Sequence, residues 1–206
     1  SVADMPNNPM PPINDTTYAA KKKLAENKSI DFLLYAGIGP GTKPLSFPVP
    51  YKVCMGPSVG DLFFQSFQEL ERSIKKYRGC EISFHCEDPK ILRGGIRPPQ
   101  AEINAIEFAL SLIGKYELHG KICHCSTKRG IEKIREAKQQ GVQVTCEVAP
   151  HHLYFDESMV DEKNRKLLQV NPPLRTREDR LALLEALRDG AIDFLASDHA
   201  PHTKEE

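Results

Sequence analysis

The chain has 206 residues, and its 28 Lys plus Arg balance 28 Asp plus Glu to a formal net charge of zero. This balance excludes the basic surface that nucleic acids and anionic membranes bind. No apolar run approaches the roughly 18 residues of a membrane-spanning helix. The six cysteines lack the dense spacing of a small disulfide scaffold. We therefore expect a single domain over residues 1–206, with free thiols in a reducing cytoplasm.

Segments of extended and helical pattern alternate along the chain. Seven strands are predicted, the first in the opening run and the others near 31–36, 51–55, 81–84, 121–123, 142–148 and 192–196. Five helices are predicted near 16–28, 61–77, 100–112, 127–140 and 178–187, the second with Asp61 as its cap. This order favours a parallel sheet covered by helices.

Polar residues follow nearly every predicted strand. A doubly wound open sheet gathers its ligand at one switch point, whereas a barrel draws one group from each strand end. We therefore expect an α/β fold, an incomplete TIM-like (β/α)8 barrel with about seven strands present and the first missing. The chain opens without a Met and stops at Glu206, just past the last strand, so we interpret it as a fragment.

The most informative segment is 196–202, Ala-Ser-Asp-His-Ala-Pro-His, which follows an apolar stretch. Period-two alternation places Phe194, Ala196 and Asp198 on one side of the strand. Carboxylate and imidazole groups at a strand end are able to hold a zinc ion and to move a proton. The alternative is that Asp198 caps a following helix.

Other candidate ligands end earlier strands. His85 and His124 stand beside further polar groups, and each is either a metal ligand or a hydrogen-bonded core histidine. Lys52 can ligate a cation only after its amine reacts with carbon dioxide. Its place at the start of an apolar run favours a solvated lysine instead. His151 and His152 are adjacent, so at least one of them is expected to be structural.

Six motifs follow one another along the chain, at residues 5–12, 85–88, 124–127, 146–153, 171–175 and 197–202. Together they resemble the dihydroorotases of the amidohydrolase superfamily, whose metal scaffold hydantoinases and allantoinases share. The Met-Pro-Asn start, the Glu-Val-Ala-Pro-His-His run and the Asp-His-Ala-Pro-His close point to dihydroorotase.

The resemblance implies two zinc ions in one site. It makes Lys52 the carboxylated lysine that bridges them, His85 and His124 the ligands of the second metal, and Asp198 a ligand of the first that also acts as general base and acid. The substrate contacts that it implies are Asn7, Asn171 and His202. The positions that bind an extra zinc in some relatives are Cys123 and Glu147, although strand alternation places Cys123 opposite His124 unless the strand is bulged.

The function implied is interconversion of dihydroorotate and N-carbamoyl-L-aspartate in pyrimidine biosynthesis. We expect a small-molecule substrate, no nucleic acid or membrane partner, and either a homo-oligomer or a complex with other pyrimidine enzymes. The family's His-x-His and following Arg lie nowhere in residues 1–206. An allantoinase or hydantoinase-like enzyme and a non-catalytic scaffold therefore stay open as alternatives, and the fragment alone is expected to have weakened metal binding.

Overall fold

The computed structural model describes residues 1–57, 60–92 and 94–200. It is an α/β structure in which helices follow parallel strands. The strands are β1 (Val2–Asp4), β2 (Phe32–Leu34), β3 (Ala36–Ile38), β4 (Tyr51–Cys54), β5 (Glu81–His85), β6 (His119–Ile122), β7 (Val144–Val148) and β8 (Phe194–Leu195). The helices are α1 (Asp15–Ala25), α2 (Phe67–Ile74), α3 (Pro99–Tyr116), α4 (Lys128–Gln139), α5 (Pro150–Tyr154) and α6 (Arg177–Arg188). In these ranges no helix is both long and apolar enough to cross a membrane.

The strands lie side by side in chain order. Six of them form one parallel sheet, β3-β4-β5-β6-β7-β8, and β1 and β2 form a second parallel pair. The predicted strand over 31–36 is divided at Tyr35, whose N–H turns to the carbonyl of Asp4 at 3.0 Å, while Ala36 donates to Pro50 at 2.9 Å. Counting β2 and β3 as this one strand gives the seven predicted. In the part of the chain that the structure describes, the edge strands β3 and β8 do not pair with each other, which agrees with an incomplete barrel.

The second helix starts later than predicted. Its N-cap is Ser66, whose hydroxyl accepts from the N–H of Glu69 at 3.2 Å, so the prediction of Asp61 as the cap was wrong. The intervening residues extend the sheet instead, because Phe63 forms a parallel bridge with Cys54 and Phe64 is completely buried. The apolar residues that suggested an earlier helical turn belong to this extended segment.

The outer face of the six-stranded sheet packs against the helices and is apolar. Val53, Ile82, Phe84 and Ile122 are all 0% exposed and belong to one continuous core. Burying each such side chain contributes about 1.5–3 kcal/mol to folding. The packing is close at Gly120, where a Cβ would lie 2.1 Å from a methyl carbon of Ile113, so α3 rests directly on β6.

The inner face of the same strands is polar. Lys52, Ser83, Lys121 and Thr145 are register partners on four neighbouring strands, and they form one row across the sheet. Cys54 and His85 are partners one row closer to the carboxyl ends of the strands. Parallel strands present their C-terminal ends at one edge, so these side chains lead toward a shared mouth.

Candidate active site

Two imidazoles meet at the carboxyl ends of β5 and β6. His85 is the last residue of β5 and His124 follows β6 by two residues. Nδ1 of His85 lies 3.0 Å from Nε2 of His124, and both residues are 4% exposed. The two histidines that the sequence singled out on separate strands are therefore brought into direct contact.

The backbone at His124 explains how two consecutive side chains face inward. Its φ of 34° lies in the left-handed region, which breaks the alternation of the strand. Cys123 accepts a hydrogen bond from Nζ of Lys52 at 2.9 Å, while His124 contacts His85. The expectation that Cys123 and His124 lie on opposite sides assumed an unbulged strand; Cys123 continues the inward alternation of Lys121, and the left-handed His124 breaks it.

A carboxylate behind the histidines sets their hydrogen-bonding pattern. Oε2 of Glu87 lies 2.8 Å from Nε2 of His85, and a carboxylate only accepts, so the proton of His85 resides on Nε2. Burial, followed by the nearby His85 and Lys52, holds the pKa of His124 well below its usual range. Nδ1 of His124 finds no hydrogen-bond partner within the described part of the chain.

Lys52 reaches the site from β4, starting one row further from the carboxyl ends of the strands than His85. Its Cα belongs to the row of Ser83, but its long side chain extends to Cys123, and the residue is only 6% exposed. The alternative of a solvated lysine was wrong for this reason. Burial lowers the pKa of Lys52, but Cys123, Cys54 and Glu147 raise it more, so the net direction is upward. In contrast to its effect on Lys52, burial raises the pKa of the Cys123 thiol, to about 11.

Glu147 projects from β7 into the same interior. Its carboxylate lies 3.1 Å from Nζ of Lys121, and the two side chains are 6% and 13% exposed. Lys121 also approaches the hydroxyl of Tyr35 at 3.3 Å and the ring of Phe194 at 5.7 Å. Glu147 is therefore beside the cluster, but its direct partner is a lysine.

Asp198 completes the mouth from the segment after β8. Its φ of 48° is left-handed, a conformation that Asp adopts more readily than most residues. The residue keeps solvent access, yet the surrounding protein removes enough water to raise the pKa of its carboxyl group. Lys52, His151 and His85 act on this pKa in the opposite direction.

The adjacent histidines 151 and 152 divide into two roles. His152 is 3% exposed and donates from Nε2 to the carbonyl of Pro172 at 3.0 Å, so it is structural, as expected for at least one of the two. Burial lowers the pKa of His152 to about 3. His151 is half-buried and interacts electrostatically with Asp198. Its proximity to Asp198 was not predicted, because it arises between distant loops.

The substrate contacts Asn7, Asn171 and His202 stay predictions. Asn7 and Asn171 are exposed, and neither forms a hydrogen bond or an ion pair with the site in residues 1–57, 60–92 and 94–200. His202 lies outside the described residues. The sequence missed Glu87, although its position two residues after His85 was a usable signal.

The histidine pair fits one metal position. Two nitrogens bound to one tetrahedral zinc at about 2.0–2.1 Å are roughly 3.3 Å apart, close to the 3.0 Å between Nδ1 of His85 and Nε2 of His124. The described ranges contain no group of three or more His, Cys, Asp or Glu side chains arranged to hold a metal ion. The donors present therefore suit part of a metal centre, with Lys52 and Asp198 beside it.

Comparison with known proteins defines the class. No protein-family model matches the chain. An L-hydantoinase from Arthrobacter aurescens superposes with a TM-score of 0.85 at 28% identity, covering 98% of this chain and 51% of that enzyme. A D-hydantoinase superposes with a TM-score of 0.79 at 21% identity, covering 97% and 50%. The parallel fold with ligand-type side chains at its strand ends is thus that of the amidohydrolase superfamily.

Sequence relatives narrow the class to a family. A dihydroorotase of Listeria monocytogenes is 34% identical over 227 aligned residues, which span 100% of this chain and 53% of the relative. The dihydroorotase of Pyrococcus furiosus is 35% identical over 207 residues, 100% of this chain and 47% of the relative. The chain belongs to the dihydroorotase family. It spans about half the length of these relatives.

Proposed function

We propose that the natural protein containing this chain is a zinc-dependent cyclic amide hydrolase that interconverts dihydroorotate and N-carbamoyl-L-aspartate in the cytoplasm, in pyrimidine biosynthesis. The observation that supports the proposal is the contact between His85 and His124 at the carboxyl ends of β5 and β6, with the buried Lys52 on the neighbouring strand β4. Burying charged and imidazole groups together costs free energy unless they are paired or bind an ion. A catalytic centre explains why the protein tolerates that free-energy cost, whereas a non-catalytic scaffold does not.

His85 and His124 would hold one zinc ion through the two nitrogens that face each other. Lys52, once carboxylated, and Asp198 would supply oxygen ligands for a pair of ions. When bound, zinc polarises a carbonyl and lowers the pKa of water to about 7. Cys123 and Glu147 are assigned to the walls of the site, since their direct contacts are Lys52 and Lys121.

Asp198 would move the proton in both directions. In hydrolysis, a water oxygen bonds to the ring carbonyl carbon, and Asp198 accepts the proton that the water releases. The carbon–nitrogen bond then breaks, and Asp198 returns that proton to the departing nitrogen. Burial raises the pKa of Asp198, which suits a carboxyl group that must hold a proton for part of the cycle.

Asn7, Asn171 and His202 are proposed to bind the substrate carboxylate and ring. Asn7 and Asn171 are exposed and hold no other partner in the site, so they are available to a ligand.

A second candidate is hydrolysis of a hydantoin-type ring, because the L-hydantoinase from Arthrobacter aurescens has a TM-score of 0.85 to this chain. The natural full-length protein should be assayed against dihydroorotate, allantoin and hydantoin, with metal content measured by mass spectrometry. We expect dihydroorotate to dominate and about two zinc ions per site. Dominant turnover of hydantoin or allantoin would select the alternative, and turnover of none would favour a scaffold.

Asp198→Asn tests the proton path. Loss of general acid and base should lower kcat by roughly 10²–10⁴-fold, because the amide cannot take or return the proton. Asp31→Asn makes the same chemical change beside the amino-terminal end of β2 and should leave kcat unchanged. Equal rates for Asp198→Asn and the native enzyme would remove Asp198 from the mechanism.

A further inference from the structure

Glu87 lies directly behind the histidine pair. It is 0% exposed, and its Oε2 atom is 2.8 Å from Nε2 of His85 while also contacting Nη1 of Arg97. Because the carboxylate can only accept, it fixes the proton of His85 on Nε2 and leaves the lone pair of Nδ1 directed at His124. The orientation of His85 thus depends on a residue that does not itself face the mouth.

Glu102 performs a corresponding task behind His124. This carboxylate is 1% exposed on α3 and accepts from the backbone N–H groups of Ser126 at 2.8 Å and Thr127 at 3.1 Å. The hydroxyl of Thr127 donates to it as well, at 3.1 Å. Glu102 therefore anchors the backbone immediately after His124, at the place where that backbone leaves the strand in a left-handed conformation.

Two arginines connect these carboxylates across the loops. Arg175 donates from Nη1 to the carbonyl of Arg97 at 2.6 Å and from Nε to the hydroxyl of Ser126 at 3.1 Å, and its Nη2 lies 3.7 Å from Glu102. Arg97 donates from Nη2 to the carbonyl of Pro57 at 3.0 Å. The loops that follow β4, β5 and β6 and the segment before α6 are joined in this way.

We infer that Glu87 is the positioning residue of His85, and that Arg97 and Arg175 couple it to Glu102 so that one largely buried network sets both histidines. The inference rests on the proposed function only in taking His85 and His124 as metal ligands. Two carboxylates and two guanidiniums balance in charge, which permits their burial. Carboxylates that orient ligating histidines in other proteins contribute 10–100-fold to metal affinity.

The test uses Glu87→Ala and Glu87→Gln in the natural full-length protein, stripped of metal. Nitrogen-15 spectra of labelled imidazole should show His85 protonated on Nε2 in the native protein, and this signature should be lost in Glu87→Ala. Zinc affinity, measured by competition with a chelator, should fall roughly 10–100-fold. Glu87→Gln keeps an oxygen acceptor and should restore the Nε2–H tautomer.

The matched control is Asp156→Asn, which changes another buried carboxylate paired with an arginine, Arg180, at 3.1 Å. It should lower stability while leaving the His85 tautomer and zinc affinity unchanged. Arg175→Met extends the test, because coupling predicts that its effect on zinc affinity and that of Glu87→Gln are not additive. Should Glu87→Ala not fold, Glu87→Leu, which also lacks an acceptor oxygen, gives the same readouts.

An unchanged tautomer together with zinc affinity within twofold of native in Glu87→Ala would overturn the inference. Additive effects of Glu87→Gln and Arg175→Met would overturn the coupling. These outcomes are separable from the proposed function. A protein that hydrolyses no cyclic amide but loses the Nε2–H tautomer in Glu87→Ala keeps the positioning role and loses the dihydroorotase assignment.

Discussion

In the middle of β5 both faces of the parallel sheet are buried, but the buried side chains serve opposite purposes. Ser83 and Phe84 are neighbours in β5, both 0% exposed, yet Phe84 enters the apolar core while Ser83 lies in the polar row beside Lys52. The hydroxyl of Ser83 has no hydrogen-bond partner within the described ranges. The comparison teaches that the outer face supplies stability, whereas the inner face uses it to keep polar groups assembled.

Breaking the outer face should have the largest effect. Phe84→Ala removes a fully buried ring between β5 and the helices and leaves a cavity, so the free energy of unfolding should fall by about 3–5 kcal/mol. Chemical denaturation measures this change. A loss below about 1 kcal/mol would mean that the helices do not depend on this face for their packing.

The inner ion pair of Lys121 and Glu147 gives a smaller effect. Glu147→Gln leaves the 13%-exposed ammonium without its carboxylate and should cost about 1–3 kcal/mol, while Lys121→Met combined with Glu147→Gln should cost less than the sum. A double-mutant cycle with zinc analysis measures both quantities. Loss of one zinc ion in Glu147→Gln would instead identify Glu147 as a metal ligand.

Lowering the pH should lower the free energy of unfolding through the buried His152. Burial lowers the pKa of His152 to about 3 in the folded protein. At a pH below 6.5, the ordinary pKa of histidine, the unfolded chain therefore binds a proton at His152 that the folded chain does not bind. His152 thus costs no stability above pH 6.5 and removes about 1.4 kcal/mol per pH unit as pH falls toward 3.

Between pH 7 and 4, the free energy of unfolding of His152→Gln should depend less steeply on pH than that of the native protein, by the equivalent of about one bound proton. Chemical denaturation at a series of pH values measures this slope. Gln retains an N–H group that can donate to Pro172. Identical pH slopes for the two proteins would show that His152 is not held neutral by burial.

Ser83→Ala should give the smallest effect, and of the opposite sign. Removing a buried hydroxyl without a partner in the described residues should raise the free energy of unfolding by roughly 1 kcal/mol. The adjacent Phe84→Ala serves as the contrast. If Ser83→Ala destabilises as Phe84→Ala does, the division between the two faces does not hold.

Much of the fold was predictable because its signals are local. Buried strands and helical periodicity are written in short windows, and the helix predicted over 127–140 forms as α4 with Thr127 as its cap. The boundary at Asp61 failed because its neighbours are buried by a non-local bridge between Phe63 and Cys54. Sequence spacing carries no information about such a partner.

The candidate site divides in the same way. Motifs located His85 and His124, but alternation alone placed Cys123 and His124 on opposite sides, since a left-handed residue cannot be read from spacing. Glu102 and Arg175 come from elements far apart in sequence, and only the folded chain brings them together, at 3.7 Å. Lys52 was judged by its position in the strand, whereas the length of its side chain determines where its amine lies.

That length has a consequence for redesign. The Cα of Lys52 stands one row deeper in the sheet than His85, and Cys54 is the residue in register with His85. A shorter acid introduced in place of Lys52 would stop below the imidazoles. An engineered centre that uses an Asp or Glu instead of a lysine carboxylated by carbon dioxide would have to carry that residue at position 54. The type of metal ligand therefore determines its position along β4.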